Sequence, residues 1–254
     1  MKKPRILLIG HSHTQCIFDA YGAGLQDIVD LDVVRLHRDK IVGSEPAFGE
    51  YIADQVAGFA RVRSVDPAPY DLVVSLMGGN THNIVGLVEM SPPFDFVLSV
   101  QPSLRPSAHA TLLPEKIVRN VLQQRIETIF TGMKVIREMY SDLMICQESP
   151  PPIGDDDYVR RYLDEHFQQD FKSGRDIVSA ELRYKLWKLA SGIYSERCEQ
   201  LGVPYVTCPE KTMIDGMYLQ PEGYPGNATH GNKWYGELVL RNVLIVLKER
   251  MAAQ

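Results

Sequence analysis

The sequence predicts an α/β fold: a mainly parallel, five-stranded sheet with helices on both faces. Three observations predict it. Short apolar runs closed by turn residues recur along the chain, and longer stretches with the 3–4 residue spacing of buried helix faces separate them. The runs are almost continuously apolar, as strands become when helices cover both sides of a parallel sheet.

The first run, "RILLIG" at 5–10, ends at a glycine and is followed by Ser12, His13 and Thr14, which have capping chemistry. Residues from about Thr14 to Leu25 then have helical spacing. "LDVVRL" is a second strand, and a helix is expected over Glu50 to Ser64. "YDLVVSL", entered from the proline-rich "DPAPY", is the third strand and stops at Met77-Gly78-Gly79-Asn80. Leu113 to Ser141 is the longest helical pattern, with Pro114 in its first turn. "DLMICQ" is the fourth strand, and "ESPPPIGDDD" breaks the chain after it. Tyr158 to Gly202 holds two helical patterns divided around Lys172-Ser173-Gly174. "VPYVTC" is the fifth strand. A Gly- and Pro-rich loop runs from Pro209 to about Thr229, and a last helix covers roughly Lys233 to Arg250. With no repeat, low-complexity tract or linker, residues 1–254 are expected to form a single domain.

Composition narrows the function classes. The 27 basic and 32 acidic residues give a formal charge of −5, and basic residues are scattered, so nucleic acid and anionic membrane surfaces are not expected partners. No stretch approaches the roughly 18 apolar residues of a membrane span. The opening "MKKPRILLIG" is too short in its apolar part for a signal peptide. Cys16, Cys146, Cys198 and Cys208 form no CxxC pair and read as reduced, buried thiols. A cytoplasmic location is the expectation.

Ligands of open parallel sheets bind beyond the carboxyl ends of the strands. Ser12 and Asn80 both follow such ends, and the loop before the last helix can reach the same edge. Gly10-His11-Ser12-His13, Gly78-Gly79-Asn80 and Asn227-Ala228-Thr229-His230-Gly231-Asn232 therefore form one candidate constellation. A serine, an amide donor and a late histidine match what acyl transfer requires: a nucleophile, a base for its proton, and a donor for the oxyanion.

In these blocks the chain resembles the SGNH (GDSL-like) hydrolases, named for a serine, a glycine, an asparagine and a histidine in four successive blocks. "GHSH" stands where the family has a Gly-Asp-Ser turn, "GGN" fits the third block, and "NATHGNKWYG" fits the last. The order and spacing match from end to end. The resemblance implies a flavodoxin-like three-layer sandwich and a shallow site for esters, often acetyl groups on carbohydrates. It makes Ser12 the nucleophile, His230 the base, and Asn80 with the Ser12 N–H the oxyanion donors. Gly43 in "KIVGSEP" is the candidate for the second-block glycine, where a backbone N–H without a Cβ beside it could approach the oxyanion. No cofactor is implied.

One position departs from the family. Asn227 stands where an Asp normally precedes the histidine by three residues. An amide has no charge to set against an imidazolium, and by donating to the ring it would select the wrong tautomer. In the serine-protease triad that exchange lowers turnover by about four orders of magnitude. Three explanations are open: a Ser–His dyad, a carboxylate from elsewhere with Asp215 the first candidate and Glu222 the second, or a degenerate site that binds without hydrolysing.

Each residue also has a plainer reading. Ser12 could be a helix N-cap, Asn80 a turn asparagine, and His230 a cap on the last helix. His11 and His13 are placed on the pocket rim, and His82 beside Asn80 or against substrate. "HSH" with "GGNTH" is similar to two metallophosphatase blocks. Those sites need bridging carboxylates, which the first block lacks, and no later His-x-His follows, so no metal site is assigned. The charged "DDDYVRRYLDEHFQQDF" reads as a solvated helix face, with Arg160 or Arg161 able to reach the pocket from the stiff loop before it. Trp187 reads as core. The expected function is hydrolysis or transfer of a small ester or acylated sugar. The alternatives are a non-catalytic ligand-binding protein and, further off, a metal-dependent phosphoesterase.

Overall fold

The computed structural model describes residues 2–36, 66, 69–164, 167–168 and 174–252. Five strands form the central sheet: β1 (Arg5–Gly10), β2 (Asp30–Arg35), β3 (Leu72–Leu76), β4 (Met144–Gln147) and β5 (Tyr205–Val206). All neighbours pair in parallel, in the order β2-β1-β3-β4-β5. This is the flavodoxin-like order, and it reverses direction at β1 and β3. Ile6 to Ile9 of β1 and Leu72 to Val74 of β3 are almost completely buried, because these central strands are covered from both sides.

The helices divide into two layers. On one side α1 (Thr14–Ala20) packs against the last helix, α6 (Lys233–Ala252). On the other, α2 (Thr81–Gly86) and α3 (Glu115–Tyr140) pack against α5 (Ala180–Gln200). A short helix, α4 (Asp156–Arg161), follows the loop after β4. The inward face of α3 is written in its sequence: Val118, Leu122, Ile126, Phe130, Met133, Ile136 and Tyr140 recur every three or four residues and are buried.

Several elements differ from expectation. The pattern over 14–25 is α-helical only to Ala20 and then widens into a π-helical turn, Tyr21–Leu25, where Gly24 has φ 134°. β5 is reduced to two residues, paired among the described residues with β4 alone. The loop from Pro209 folds into a small antiparallel hairpin, Met213–Ile214 with Tyr218–Leu219. Helix α2 has too short an apolar pattern to be foreseen. The helix expected at 50–64 and the Lys172-Ser173 break lie outside the described residues.

Helix α5 is buried all round more than its charges suggest. Lys185 is fully buried and paired with Asp95, and also donates to the Phe96 carbonyl at 3.0 Å. Asp95 in turn accepts the backbone N–H groups of Phe96 and Ser107 at 2.7 and 2.8 Å. The pair is tolerated inside because its remaining hydrogen-bonding capacity is met. Trp187 is core, with Nε1 donating to the Ser149 carbonyl at 3.2 Å. All four cysteines are free and buried. No described helix is long and apolar enough to cross a membrane.

Candidate active site

The carboxyl ends of β1 and β3 flank the reversal of strand order, and Ser12 and Asn80 lie just beyond them. The histidine comes from the far end of the chain. Its approach is set where α6 crosses α1: a Cβ on Gly236 would collide with the backbone carbonyl of Cys16, so only glycine permits the two helices to lie this close. Asn232 starts α6, its Oδ1 accepting the N–H of Trp234 at 2.8 Å and of Tyr235 at 3.3 Å. With that cap supplied, His230 turns inward.

His230 Nε2 lies 2.6 Å from Ser12 Oγ, and its Nδ1 lies 3.0 Å from Asn227 Oδ1. Asn80 does lie in the turn after β3, as its plainer reading has it, but Ser12 and His230 are not the helix caps of theirs. The N-cap of α1 is His13, without a side-chain cap bond, and the Ser12 hydroxyl is turned to the imidazole. Asn80 is the N-cap of α2, also without a side-chain cap bond.

The tautomer question raised by Asn227 is answered by its neighbours. Its Oδ1 accepts two backbone N–H groups, from Thr229 and His230, each at 3.1 Å. Rotating the amide would press its NH2 group against both donors. The oxygen is therefore fixed toward the ring, Nδ1 carries the proton and donates it, and Nε2 is left as the acceptor for the serine proton. Neither substitute carboxylate is where it was expected. Asp215 is exposed at the tip of the hairpin with φ 52°, and Glu222 is exposed in a 3-10 turn whose carbonyl accepts from Asn232.

His13 is a correction: it is buried, and does not line a rim. Its ring lies 4.6 Å from that of His230 and fills the space over Gly79, where any Cβ would overlap the imidazole. Burial, and then the neighbouring His230, push its pKa well below the usual histidine range, so it is neutral. Its Nε2 donates to Asn80 Oδ1 at 3.3 Å, and Asn83 Nδ2 donates to the same oxygen at 3.1 Å. These two bonds fix the Asn80 amide with its oxygen inward, and among the described residues no acceptor engages its Nδ2. His13 Nδ1 is buried without a partner, which suits the tautomer that places the proton on Nε2.

His82 is buried too, and burial pushes its pKa down to about 3. Its charge would act on the neighbouring His13. His11 is half-buried, its Nδ1 3.1 Å from the Met77 carbonyl. Arg160 does not reach the pocket; it pairs with Asp157 and Asp176 at the surface. Gly43 lies outside the described residues. Among the described residues no three His, Cys, Asp or Glu side chains are grouped so as to hold a metal ion.

Two residues in contact with the site were not foreseen as part of it. Thr229 Oγ1 lies 2.9 Å from His230 Nδ1 and donates to Asp164 Oδ2 at 2.9 Å. The threonine is adjacent to the histidine in "NATHG", but its carboxylate partner is 65 residues away, in a stretch whose charges suggest a solvated face.

No protein-family model matches the sequence, and no curated protein sequence does. Solved structures do. The periplasmic domain of a lipopolysaccharide acetyltransferase from Salmonella ser. Paratyphi A superposes with a TM-score of 0.50 at 12% identity, covering 97% of this chain and 84% of that one. A GDSL-like lipase from Bacteroides thetaiotaomicron gives 0.47 at 9% identity, covering 98% and 93%. An extracellular lipase from Streptomyces rimosus gives 0.44 at 11%, covering 94% and 99%. At these identities the likeness is one of fold. The shared fold is a three-layer α/β sandwich around a parallel five-stranded sheet.

Proposed function

We propose that the protein is a serine esterase or acyltransferase in which Ser12 is the nucleophile and His230 its base. The observation that carries this reading is the alignment of Ser12 Oγ, His230 and Asn227 Oδ1, with each ring nitrogen at hydrogen-bond distance from its partner. Ser12 Oγ attacks the ester carbonyl carbon as its proton passes to His230 Nε2, and the carbonyl π electrons move to oxygen. That oxyanion is met by Asn80 Nδ2, held outward by His13 and Asn83, and by the Ser12 N–H, which has no acceptor among the described residues. Collapse expels the alcohol, which takes the proton from Nε2 and leaves an acyl-Ser12. Water or a second alcohol then reverses the sequence.

A small ester is the substrate class, and an O-acetylated carbohydrate the member we favour. Support for the sugar comes from the family resemblance and from the acetyltransferase domain of similar fold. The non-catalytic alternative rests on the uncharged Asn227 and on the tautomer expected beside it; the amide orientation speaks against the second of these.

The test is labelling by a fluorophosphonate probe followed by intact mass, with 4-nitrophenyl acetate turnover in parallel. The expected result is one adduct that disappears in Ser12→Ala and falls at least about a hundredfold in rate in His230→Ala. Absence of any adduct on folded wild-type protein would leave a binding protein on this fold. Acetyl transfer to a sugar acceptor in excess over hydrolysis would decide for transferase.

A further inference from the structure

The geometry points to Asp164, acting through the Thr229 hydroxyl, as the source of the negative charge that Asn227 cannot give to His230. This rests on the reading of Ser12 and His230 as the reacting pair.

The proton assignments leave one consistent arrangement. Asp164 Oδ2 is an acceptor, so the single hydroxyl hydrogen of Thr229 is directed to it. Thr229 Oγ1 is then available only as an acceptor toward His230, 2.9 Å away, and Nδ1–H is shared between that oxygen and Asn227 Oδ1 at 3.0 Å. The carboxylate thus stands two hydrogen bonds from the ring, roughly 5 Å, where a charge still counts appreciably in a partly buried setting. No proton moves along the chain. When His230 receives the Ser12 proton, Asp164 opposes the resulting positive charge, and Thr229 both transmits the contact and keeps Nδ1 as the donor.

The placement of Asp164 is built in. The segment carrying it is joined to the loop carrying Asn227 and His230 at a second point, where the Gly226 N–H donates to the Tyr158 hydroxyl at 2.7 Å. The Tyr158 and Tyr224 rings pack 4.6 Å apart beside that bond. Among the described residues no Arg or Lys pairs with Asp164, so its charge is not spent elsewhere. Among the described residues His13, from the start of α1, also faces His230, with His11 and His82 beyond it; the burial that keeps His13 neutral means that its ring sets no cation against protonation of His230.

Asp164 and Thr229 are positioning residues, and the test must separate their electrostatic role from a structural one. The full-length protein is compared with Asp164→Asn, Thr229→Val, Thr229→Ser, Asn227→Asp and the double variant Asp164→Asn/Asn227→Asp. Two readings are taken: the titration midpoint of His230 by NMR, and the pH profile of fluorophosphonate labelling at Ser12. Asp164→Asn and Thr229→Val should each lower the midpoint by about one pH unit and slow labelling on the order of tenfold. Thr229→Ser, which keeps the hydroxyl, should behave as wild type. With Asn227→Asp in place, a direct carboxylate should make Asp164→Asn nearly silent, within about twofold.

The proposal is overturned if Asp164→Asn leaves the midpoint within about 0.2 unit of wild type, or if Asn227→Asp fails to relieve its effect. The NMR reading judges this even in a protein that takes up no probe. Labelling lost with the midpoint shift present would therefore sink the hydrolase reading alone. Labelling retained with no midpoint shift would sink only the role of Asp164.

Discussion

Lowering the pH from 7 to 5 should destabilise this protein through two buried histidines. His82 is the one that can be worked through. Its ring is 4% exposed, and burial holds its pKa at about 3, against about 6.5 in an unfolded chain. Between those two values the unfolded chain binds a proton that the folded chain refuses. Stability from the neutral ring is therefore full above pH 6.5 and is lost as the pH falls through that window. At pH 5 the unfolded imidazole is almost fully charged and the folded one is not, a difference of about 2 kcal/mol relative to neutral pH. His13 is shifted in the same direction, and adds a loss of the same sign. Against a domain stability of about 5–15 kcal/mol, that is a large fraction. Depressed carboxylates such as Asp176 act only below about pH 4, so they do not blur the window. Urea unfolding at pH 7, 6 and 5, on wild type and His82→Gln, measures it. The variant should lose about 2 kcal/mol less than wild type between pH 7 and 5. Equal losses in the two proteins would refute the reasoning.

Three further outcomes follow from close approaches and the buried charge. Gly79→Ala should displace the His13 ring and release the Asn80 amide, lowering Ser12 labelling on the order of tenfold while circular dichroism stays unchanged. Gly236→Ala places a Cβ against the Cys16 carbonyl, which as backbone cannot give way; stability should fall by about 1–3 kcal/mol in urea, with labelling reduced as His230 withdraws from Ser12. Lys185→Met would leave Asp95 buried and charged without its partner, costing about 3–5 kcal/mol, and the double variant Lys185→Met/Asp95→Asn should recover part of that.

The sheet was legible in the sequence because its central strands are covered on both faces. A run such as Ile6 to Ile9 has no polar side to conceal it. Helix α3 was legible for the complementary reason, a regular stripe on an otherwise charged cylinder. Helix α2 was not, since six residues give too few repeats for a period to emerge. At the site, the motifs located Ser12, Asn80 and His230 because each follows a strand end or precedes a helix at a fixed offset. The tautomer was not legible. It depends on which end of the Asn227 amide faces the ring, and two backbone N–H groups of the next residues decide that. Asp164 was hidden because a single carboxylate in a charged stretch has no local signature, and its partner is a hydroxyl brought to it by folding.

Ser12 and His230, the pair we propose to react, are separated by 218 residues and meet beside the crossing of α1 and α6. On that proposal the serine gains its base only once the segment carrying His230 and α6 has docked against α1. The same holds for a chain refolding from denaturant: helix content can return while the serine remains unreactive. A probe for Ser12 added during refolding would then time that docking.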